Sequence, residues 1–404
     1  MDLASPDPPA AAGCPVLATD GEAIAAAHRL ATAYRPGAMV RDRDRVLPYA
    51  EVDQYSATGL GGITVPREHG GPDLSAATLA EVTAIISAAD ASLGQLPQNH
   101  HGFVRLLRYE PDPAKAALFF RLALEGARFG NALAEATGKT TRDIAARMRR
   151  VPGGWVLDGT KQYSTGALFA HYVPVQALDE DGLARRAVAA RDAPGLTVVD
   201  DWSSFGQRTT ASGTVVLDGV FVPDSHVVAA YSASAKPTLY GPLSQIIQAA
   251  IDLGIAREAV ADTVSFVRTR SRPWIDSGQD RAADDPYTIA AIGDLQVRLH
   301  AADALLRRAG LVIDEATKDE TADAVAAASI AVAEAKVLTT EAAILATNKL
   351  FELAGTRSTL AEHGLDRHWR NARVHTLHDP VRWKLHAIGN HALNGARPPV
   401  HSWI

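Results

Sequence analysis

Cysteine is almost absent: Cys14 is the one such residue among 404. A disulfide within the chain and a thiolate metal site are thereby excluded. No run approaches the roughly 18 uninterrupted apolar residues that a membrane-spanning helix needs, so no membrane partner is expected. Positive charge is not in excess either. Lys and Arg number 40 against 46 Asp and Glu, a net of −6 with both signs mixed along the chain, and no basic stripe offers a nucleic-acid surface. The opening Met1 to Pro9 is acidic and proline-rich. It lacks the positive start and apolar core of a signal peptide, and the cytoplasm is the expected compartment. No G-x-G-x-x-G unit follows a strand signal, so the chain carries no visible dinucleotide-binding turn of its own. What is present is ordinary for a soluble globular protein, 47% hydrophobic and 21% charged. The length exceeds one simple core and calls for two or three domains.

Residues 1–20, rich in Pro, Ala, Gly and Asp without a period, read as a flexible tail. Residues 21–129 read as a helical domain: Gly21 to Tyr34 is alanine-rich, and Leu79, Val82 and Ile86 recur at helical spacing. The character changes at Gly130. Through residues 130–235, short β-rich runs (Trp155 to Gly159, Tyr172 to Val175, Leu196 to Val199, Thr214 to Leu217) are punctuated by Gly, Pro and Asp. Residues 236–404 return to helix. Four helices are expected there: one from Pro242 to Ser271, one around Ile292 to Leu306, one from Ala322 to Leu353 stopped by Gly355, and one from Pro380 to Leu393. The expected fold is α+β: an N-terminal helical domain, a middle antiparallel β-barrel or sandwich, and a C-terminal four-helix bundle.

The densest polar chemistry lies near the end, in Asp366 to Arg373 and His375 to Pro380, read as a loop between helical segments. Such a loop is either a solvated, capped turn or a place where an anionic or redox ligand is held and a proton managed. His375-x-x-His378 with Asp379 is a partial two-histidine, one-carboxylate set. Ligands three residues apart need a helix, which the approach to Pro380 argues against, so no metal is expected. Asp379 before Pro380 reads as a helix N-cap.

Five segments, by their order and spacing, carry a resemblance: Gly61 to Gly71 (GGITVPREHGG), Ser92 to His100 (SLGQLPQNH), Gly159 to His171 (GTKQYSTGALFAH), Phe205 to Thr214 (FGQRTTASGT) and Trp369 to Lys384. Together they resemble the acyl-CoA dehydrogenase superfamily of flavoproteins. More specifically they are similar to its flavin-dependent monooxygenase branch, typified by dibenzothiophene monooxygenase, and to the SfnB-type sulfur-acquisition group. The likeness covers nearly everything after the tail. It implies a flavin between the β domain and the bundle, with reduced FMN as co-substrate delivered by a separate NAD(P)H:flavin reductase. It also implies a flavin C4a-hydroperoxide formed with O2, a small organosulfur substrate and a homotetramer. FAD is disfavoured, because Phe351-Glu352-Leu353-Ala354-Gly355 departs from the Gln-x-x-Gly-Gly stretch that lies near the adenine in FAD-holding members.

The resemblance also assigns roles. Asn131 and Tyr163-Ser164-Thr165-Gly166 would contact the flavin, with Asn131 and Thr165 also near the chemistry. On residues alone, the latter run is equally a strand-end turn stitched by hydroxyls. His378 and His100 match the pocket histidines of the monooxygenase branch; either is otherwise a hydrogen-bonded core residue. Dehydrogenase members place a proton-removing glutamate where this chain reads Leu377-His378-Asp379-Pro380. Asp379 is one methylene shorter and stiffened by Pro380, and a base must come within about 3 Å of its proton. Arg272 and Arg370, among Arg367 and Arg373, are candidate phosphate anchors, or else partners of Asp276, Asp366 or Glu362. Trp202, Phe205 and Phe169, with Tyr163 and Trp274, would wall a dry substrate pocket or serve as core. Two other functions stay open: an FAD-dependent acyl-CoA dehydrogenase with Asp379 as base, and a non-catalytic protein retaining the fold.

Overall fold

The computed structural model describes residues 14–140, 143–230 and 236–404. Most of the expected tail, residues 1–13, lies outside them. Residues 14–19 do not trail: the Cys14 thiol donates to Ser56 O at 2.8 Å, and Leu17 is buried. The first helix, α1 (Asp20–Asp44), starts where a capping box dictates, with the Thr19 hydroxyl accepting from Glu22 N and Glu22 reaching back. It runs on past Pro36 to Arg45, a left-handed stop. Then come α2 (Tyr49–Ala57), α3 (Ala76–Ala89), α4 (Ala91–Gln95), α5 (Gln98–Leu106) and α6 (Pro113–Leu124). Asp90 closes α3 and opens α4, its carboxylate accepting from Ser92 N and Leu93 N.

The middle domain holds β1 (Arg147–Val151), β2 (Gly154–Lys161), β3 (Tyr172–Leu178), β4 (Ala184–Ala190), β5 (Leu196–Val199), β6 (Thr214–Pro223) and β7 (Val227–Ala229). They form one seven-stranded sheet in the order β5-β6-β2-β1-β3-β4-β7. The expectation of a purely antiparallel barrel or sandwich needs correcting, because β1 and β3 pair in parallel, at Arg147 and Leu178. After β2 the chain must cross over β1 to reach its far side, and the crossover, residues 162–171, is the segment that carries Tyr163 to Gly166. Beside it, Phe129 and Ala132 bridge to Tyr172 and Val175, filling the gap next to β3. Strands β1 and β4 escape a propensity reading because they are rich in Arg and Ala.

The C-terminal part has three long helices, α7 (Tyr240–Thr269), α8 (Pro286–Ala316) and α9 (Ala322–Ala354), and two short ones, α10 (Asp366–His375) and α11 (Val381–Asn394). Four comparable helices were expected, and the stretch read as a loop is α10. Its inward side carries His368, Asn371, Ala372 and His375, all buried. A helix whose buried stripe is polar gives no apolar period to detect. Asp379 is not an N-cap: α11 starts after Pro380 without a side-chain cap. Helix α7 is the central post, packed by α3, α8 and α9. A Cβ on Gly254 would lie 2.5 Å from Ala84 O, so glycine is what lets α3 and α7 approach this closely. The chain end folds back on α7, with Gln245 Nε2 donating to Ser402 O and Lys384 Nζ to Trp403 O, each at 2.7 Å. Among the described residues, no helix is long and apolar enough to cross a membrane.

Candidate active site

The crossover residues Tyr163 to Gly166 sit in a hydroxyl and amide cluster at the sheet's edge. Asn131 Nδ2 donates to Tyr163 O at 3.2 Å, and Ser164 N to Gly213 O at 3.0 Å. Thr165, Ser212 and Thr210 form a hydroxyl chain with steps of 2.7 and 2.8 Å. The Thr210 hydroxyl and the Trp202 indole N–H both end on Gln207 O, at 2.9 Å. Three of the five non-glycine residues with positive φ among the described residues, Tyr163, Gln207 and Ala211, fall in this cluster. Such backbone costs roughly 1–3 kcal/mol each, and its concentration here marks a segment shaped for something other than stability.

Four side-chain atoms in this cluster are buried without a partner: Asn131 Oδ1, Ser164 Oγ, and both ends of the Gln207 amide. Each such group costs about 1–3 kcal/mol unless a ligand meets it. The cluster is tied to the bundle by Gln207 N, which donates to Asn371 Oδ1 on α10 at 2.7 Å. Gly206 makes that seam possible, since a Cβ there would lie 2.1 Å from Arg370 O. Gly206→Ala is expected to cost about 1–3 kcal/mol by overpacking, seen as a lower melting temperature, and to weaken flavin retention in an ultrafiltration assay.

Across the seam lies a buried ionic network. Lys336 Nζ (α9) donates to Asp252 Oδ2 (α7) at 2.6 Å, and the Thr340 hydroxyl donates to the same oxygen at 2.8 Å. Asp252 Oδ1 meets His375 Nδ1 at 2.5 Å, and His375 Nε2 meets Gln248 Oε1 at 2.7 Å. Gln248 Nε2 faces His378 Nε2 at 3.4 Å, and His378 Nδ1 faces Asp379 Oδ2 at 3.2 Å. Lys336, Asp252 and His375 have fully buried side chains, and Asp379 is 1% exposed, whereas His378 is 38% exposed. The network therefore surfaces at one group, the His378 imidazole. Burial alone would raise the Asp252 carboxyl, yet Lys336 and His375 outweigh it and hold it down at about 2. Burial acts the same way on Asp379, and His378, Lys384 and Lys336 together hold it well below the usual carboxylate range. Burial lowers Lys384 to about 8 despite Asp379. Its ammonium donates to Gln245 Oε1 at 2.9 Å.

His100 lies elsewhere, in an apolar cavity with Tyr55, Leu93, Leu96, Phe129 and Phe169. Its Nε2 bonds to Gly61 O at 2.8 Å, and its Nδ1 accepts from Phe129 N at 3.3 Å. Burial pushes its pKa down to about 4. Both nitrogens are committed to backbone, so His100 is a neutral wall of the cavity. Gly166 borders the same cavity, which brings the crossover up against the His100 pocket.

Two phosphate expectations also change. Arg370 is consumed: Nε bonds Asp366 at 2.8 Å, Nη1 bonds Phe205 O at 2.8 Å, and Nη2 bonds Asp42. Arg272 makes no hydrogen bond or ion pair among the described residues, and it lines a surface groove with Trp274, Tyr287, Gly355 and Arg357. That groove lies beyond the C-terminal end of α7, whose last residue, Thr269, is roughly 32 Å along the helix from Gln248. The five aromatics do not share one wall. Tyr163 stands edge-on to Trp202 at 6.4 Å, Phe205 stacks on Trp369 at 6.1 Å, Phe169 packs on Tyr49, and Trp274 is out by Arg272. The reading of residues passed over Gln207, Asn371, Gln248, Asp252 and Lys336. The last two carried a signal: a Lys and an Asp on the buried stripe of otherwise apolar helices, with Lys336 four residues from Val332 and Thr340. His375 and His378 both turn Nε2 to the Gln248 amide, and no group of three or more His, Cys, Asp or Glu among the described residues is placed to hold a metal.

A helical domain, a mixed sheet and a helical bundle meeting at such a seam are the fold of the acyl-CoA dehydrogenase-like flavoproteins. Residues 22–123 match the acyl-CoA dehydrogenase N-terminal domain and residues 246–383 its C-terminal domain. Dibenzothiophene monooxygenase of Rhodococcus erythropolis is 33% identical over 94% of this chain and 95% of its own. The probable FMNH2-dependent monooxygenase SfnC of Pseudomonas putida is 30% identical over 95% and 98%. The crystal structure of FMN-bound TdsC from Paenibacillus sp. A11-2 superposes with a TM-score of 0.89 at 31% identity, covering 95% of this chain and all of that one. The chain belongs to the acyl-CoA dehydrogenase family, in its flavin-dependent monooxygenase branch. The orphaned acceptor of Asn131, hydroxyl of Ser164 and two-ended amide of Gln207 fit a heterocycle that alternates donors and acceptors, as the polar edge of a flavin does.

Proposed function

We propose that this protein is a two-component monooxygenase. It takes reduced FMN from a separate NAD(P)H:flavin reductase and oxygenates a small organosulfur compound with O2. The observation that carries this reading is the pair His378 and Asp379. Where dehydrogenase members present a carboxylate to substrate, the exposed group here is an imidazole, and the carboxylate is buried. Reduced FMN, when bound, supplies the electrons that activate dioxygen. Asn131, Ser164 and Gln207 would hold its polar edge, with the Tyr163 and Trp202 rings alongside. His378 accepts and hands on the proton that moves at the reacting oxygen, the role imidazole fills near neutral pH. The apolar cavity walled by His100, Phe129 and Phe169 keeps water out, which oxygen chemistry on a flavin requires. The sulfur-compound assignment rests on the relatives named above.

The dehydrogenase alternative fails on the same pair. A carboxylate held far below its usual range and turned into the protein is a weak base with no reach. The deciding experiment supplies FMN, a reductase, NADH, substrate sulfides or sulfones and ¹⁸O₂. One labelled oxygen atom in the product supports the reading. Unlabelled product, with anaerobic bleaching of bound flavin by acyl-CoAs, sinks it.

Arg272 remains the phosphate anchor in this proposal, but on a neighbouring copy. It stands too far along α7 to share one flavin with His378 of its own chain. The exposed Trp274, Ile275, Tyr287 and Ile289 around it suit self-association, and the expected assembly is a homotetramer. Arg272→Ala should weaken FMN binding about tenfold, the loss of a charge-assisted phosphate contact. Mixed assemblies of Arg272→Ala and His378→Ala chains should recover part of the activity that either variant lacks alone. Recovery no greater than the sum of the two variants would place Arg272 outside the site.

A further inference from the structure

The buried network poses a donor-counting problem at His375. Asp252 Oδ1 and Gln248 Oε1 both only accept, and both face this ring at hydrogen-bond distance. Each ring nitrogen must then carry a proton, which makes His375 an imidazolium balanced by Asp252, itself shared with Lys336 and Thr340. Burial, with Lys336 and His378, pulls the ring's pKa below its ordinary value and Asp252 pulls it up; the second proton is therefore demanded by the two acceptors facing the ring, not by the surrounding field. With its carbonyl committed to His375, the Gln248 amide has only its NH2 end left for His378. A donor facing His378 Nε2 requires that nitrogen to offer a lone pair. The ring's own proton then belongs on Nδ1, where Asp379 accepts it.

We propose that Gln248, oriented by the buried His375–Asp252–Lys336 assembly, is a positioning residue that holds His378 as its Nδ1–H tautomer with Nε2 bare. The reaction as proposed above uses His378 but none of Gln248, His375, Asp252 or Lys336, and the inference rests on that reading only for its consequence. His378 then begins each cycle as a proton acceptor at Nε2. A proton arriving there meets the Gln248 amide N–H, so the amide must turn aside for the ring to keep it. The charged and titratable groups tied to His378 among the described residues are Asp379 beside it, Lys384 on α11 and Lys336 on α9 acting through Asp379, and Asp252 and His375 acting through Gln248. An unconstrained neutral imidazole prefers its proton on Nε2, so the arrangement works against the default.

The test is ¹⁵N NMR of the flavin-free protein labelled at histidine, with His378 assigned by its absence in His378→Asn. The expected wild-type spectrum has a protonated Nδ1 and a bare Nε2 at His378, and two protonated nitrogens at His375. Gln248→Leu, which removes the amide, should return His378 to the Nε2–H form, and His375→Asn should do the same by freeing the amide. In turnover, Gln248→Leu should move the pH profile of kcat by about one unit, the worth of one hydrogen bond, with KM for reduced FMN unchanged. An Nε2–H tautomer in the wild type overturns the proposal. So does a tautomer indifferent to Gln248→Leu, which reads out even if His375→Asn fails to fold. Because the spectra need neither flavin nor substrate, they separate this inference from the monooxygenase reading. Tautomer control without oxygenation would refute only the latter.

Discussion

His378→Ala is expected to cut substrate oxygenation at least ~100-fold while reduced FMN is still consumed, its electrons leaving as hydrogen peroxide. The size follows from the contribution of a positioned proton-transfer group, typically ~10²–10⁴-fold. The direction follows from geometry. His378 is the one member of the buried network that reaches solvent, held by Asp379 on one side and Gln248 on the other. Its loss removes the proton handling at the reacting oxygen but leaves the flavin-edge cluster of Asn131, Ser164 and Gln207 untouched, so flavin binding and its reaction with O2 continue unproductively. Peroxide assay and product chromatography on one reaction give both quantities. Asp379→Asn is the companion variant. In a dehydrogenase it would abolish activity; here it weakens the hold on the His378 ring and should cost less than the alanine at 378. An enzyme that keeps full oxygenation in His378→Ala and loses it in Asp379→Asn has the roles reversed, and the proposed chemistry with them.

How much of this was legible in the residues depends on what each element shows to solvent. Helices α1, α3 and α9 announce themselves, because alanines and apolar residues at helical spacing lie between a capping residue and a glycine or polar stop. Helix α10 does not, because its buried face is His368, Asn371 and His375. The same chemistry that made the stretch look like a site hid the helix presenting it. The crossover at Tyr163 to Gly166 was found as a motif, but its parallel neighbour relation was not, since strand order is a property of the whole sheet. Asp379 was misjudged by a sound local rule. Asp-Pro does favour a helix start, yet Lys336 lies far off in sequence, and its field, with those of His378 and Lys384 close by, holds the carboxylate inside instead. For His100 the residues show a candidate pocket histidine but not its partners. Only coordinates reveal that Gly61 O and Phe129 N already occupy both its nitrogens.

Asp252→Ala should be the most destabilising single change in the protein, at about 3–5 kcal/mol, the cost of stripping one partner from a buried pair. Lys336 would keep a full charge with no exposed surface, and His375 would lose the acceptor for its Nδ1 proton. Against a total stability of roughly 5–15 kcal/mol, that predicts a melting temperature lowered by many degrees. The pH dependence has a definite sign. Asp252 is held at about 2, below its unfolded value near 4, so its stabilisation is complete above about pH 4 and is lost as pH falls through 2. The gap between wild type and Asp252→Asn should therefore narrow from pH 4 downward and stay constant above it. A paired replacement separates fold from function. Asp252→Leu with Lys336→Met removes both charges, and buried ion pairs replaced by apolar residues commonly lose little stability or gain some. That double variant should melt near wild type yet turn over slowly, because His375 is left without the carboxylate that fixes its protons, and Gln248 without a fixed orientation. If it is stable and fully active, the ionic network serves only to hold α7, α9 and α10 together, and His378 owes its tautomer to something else.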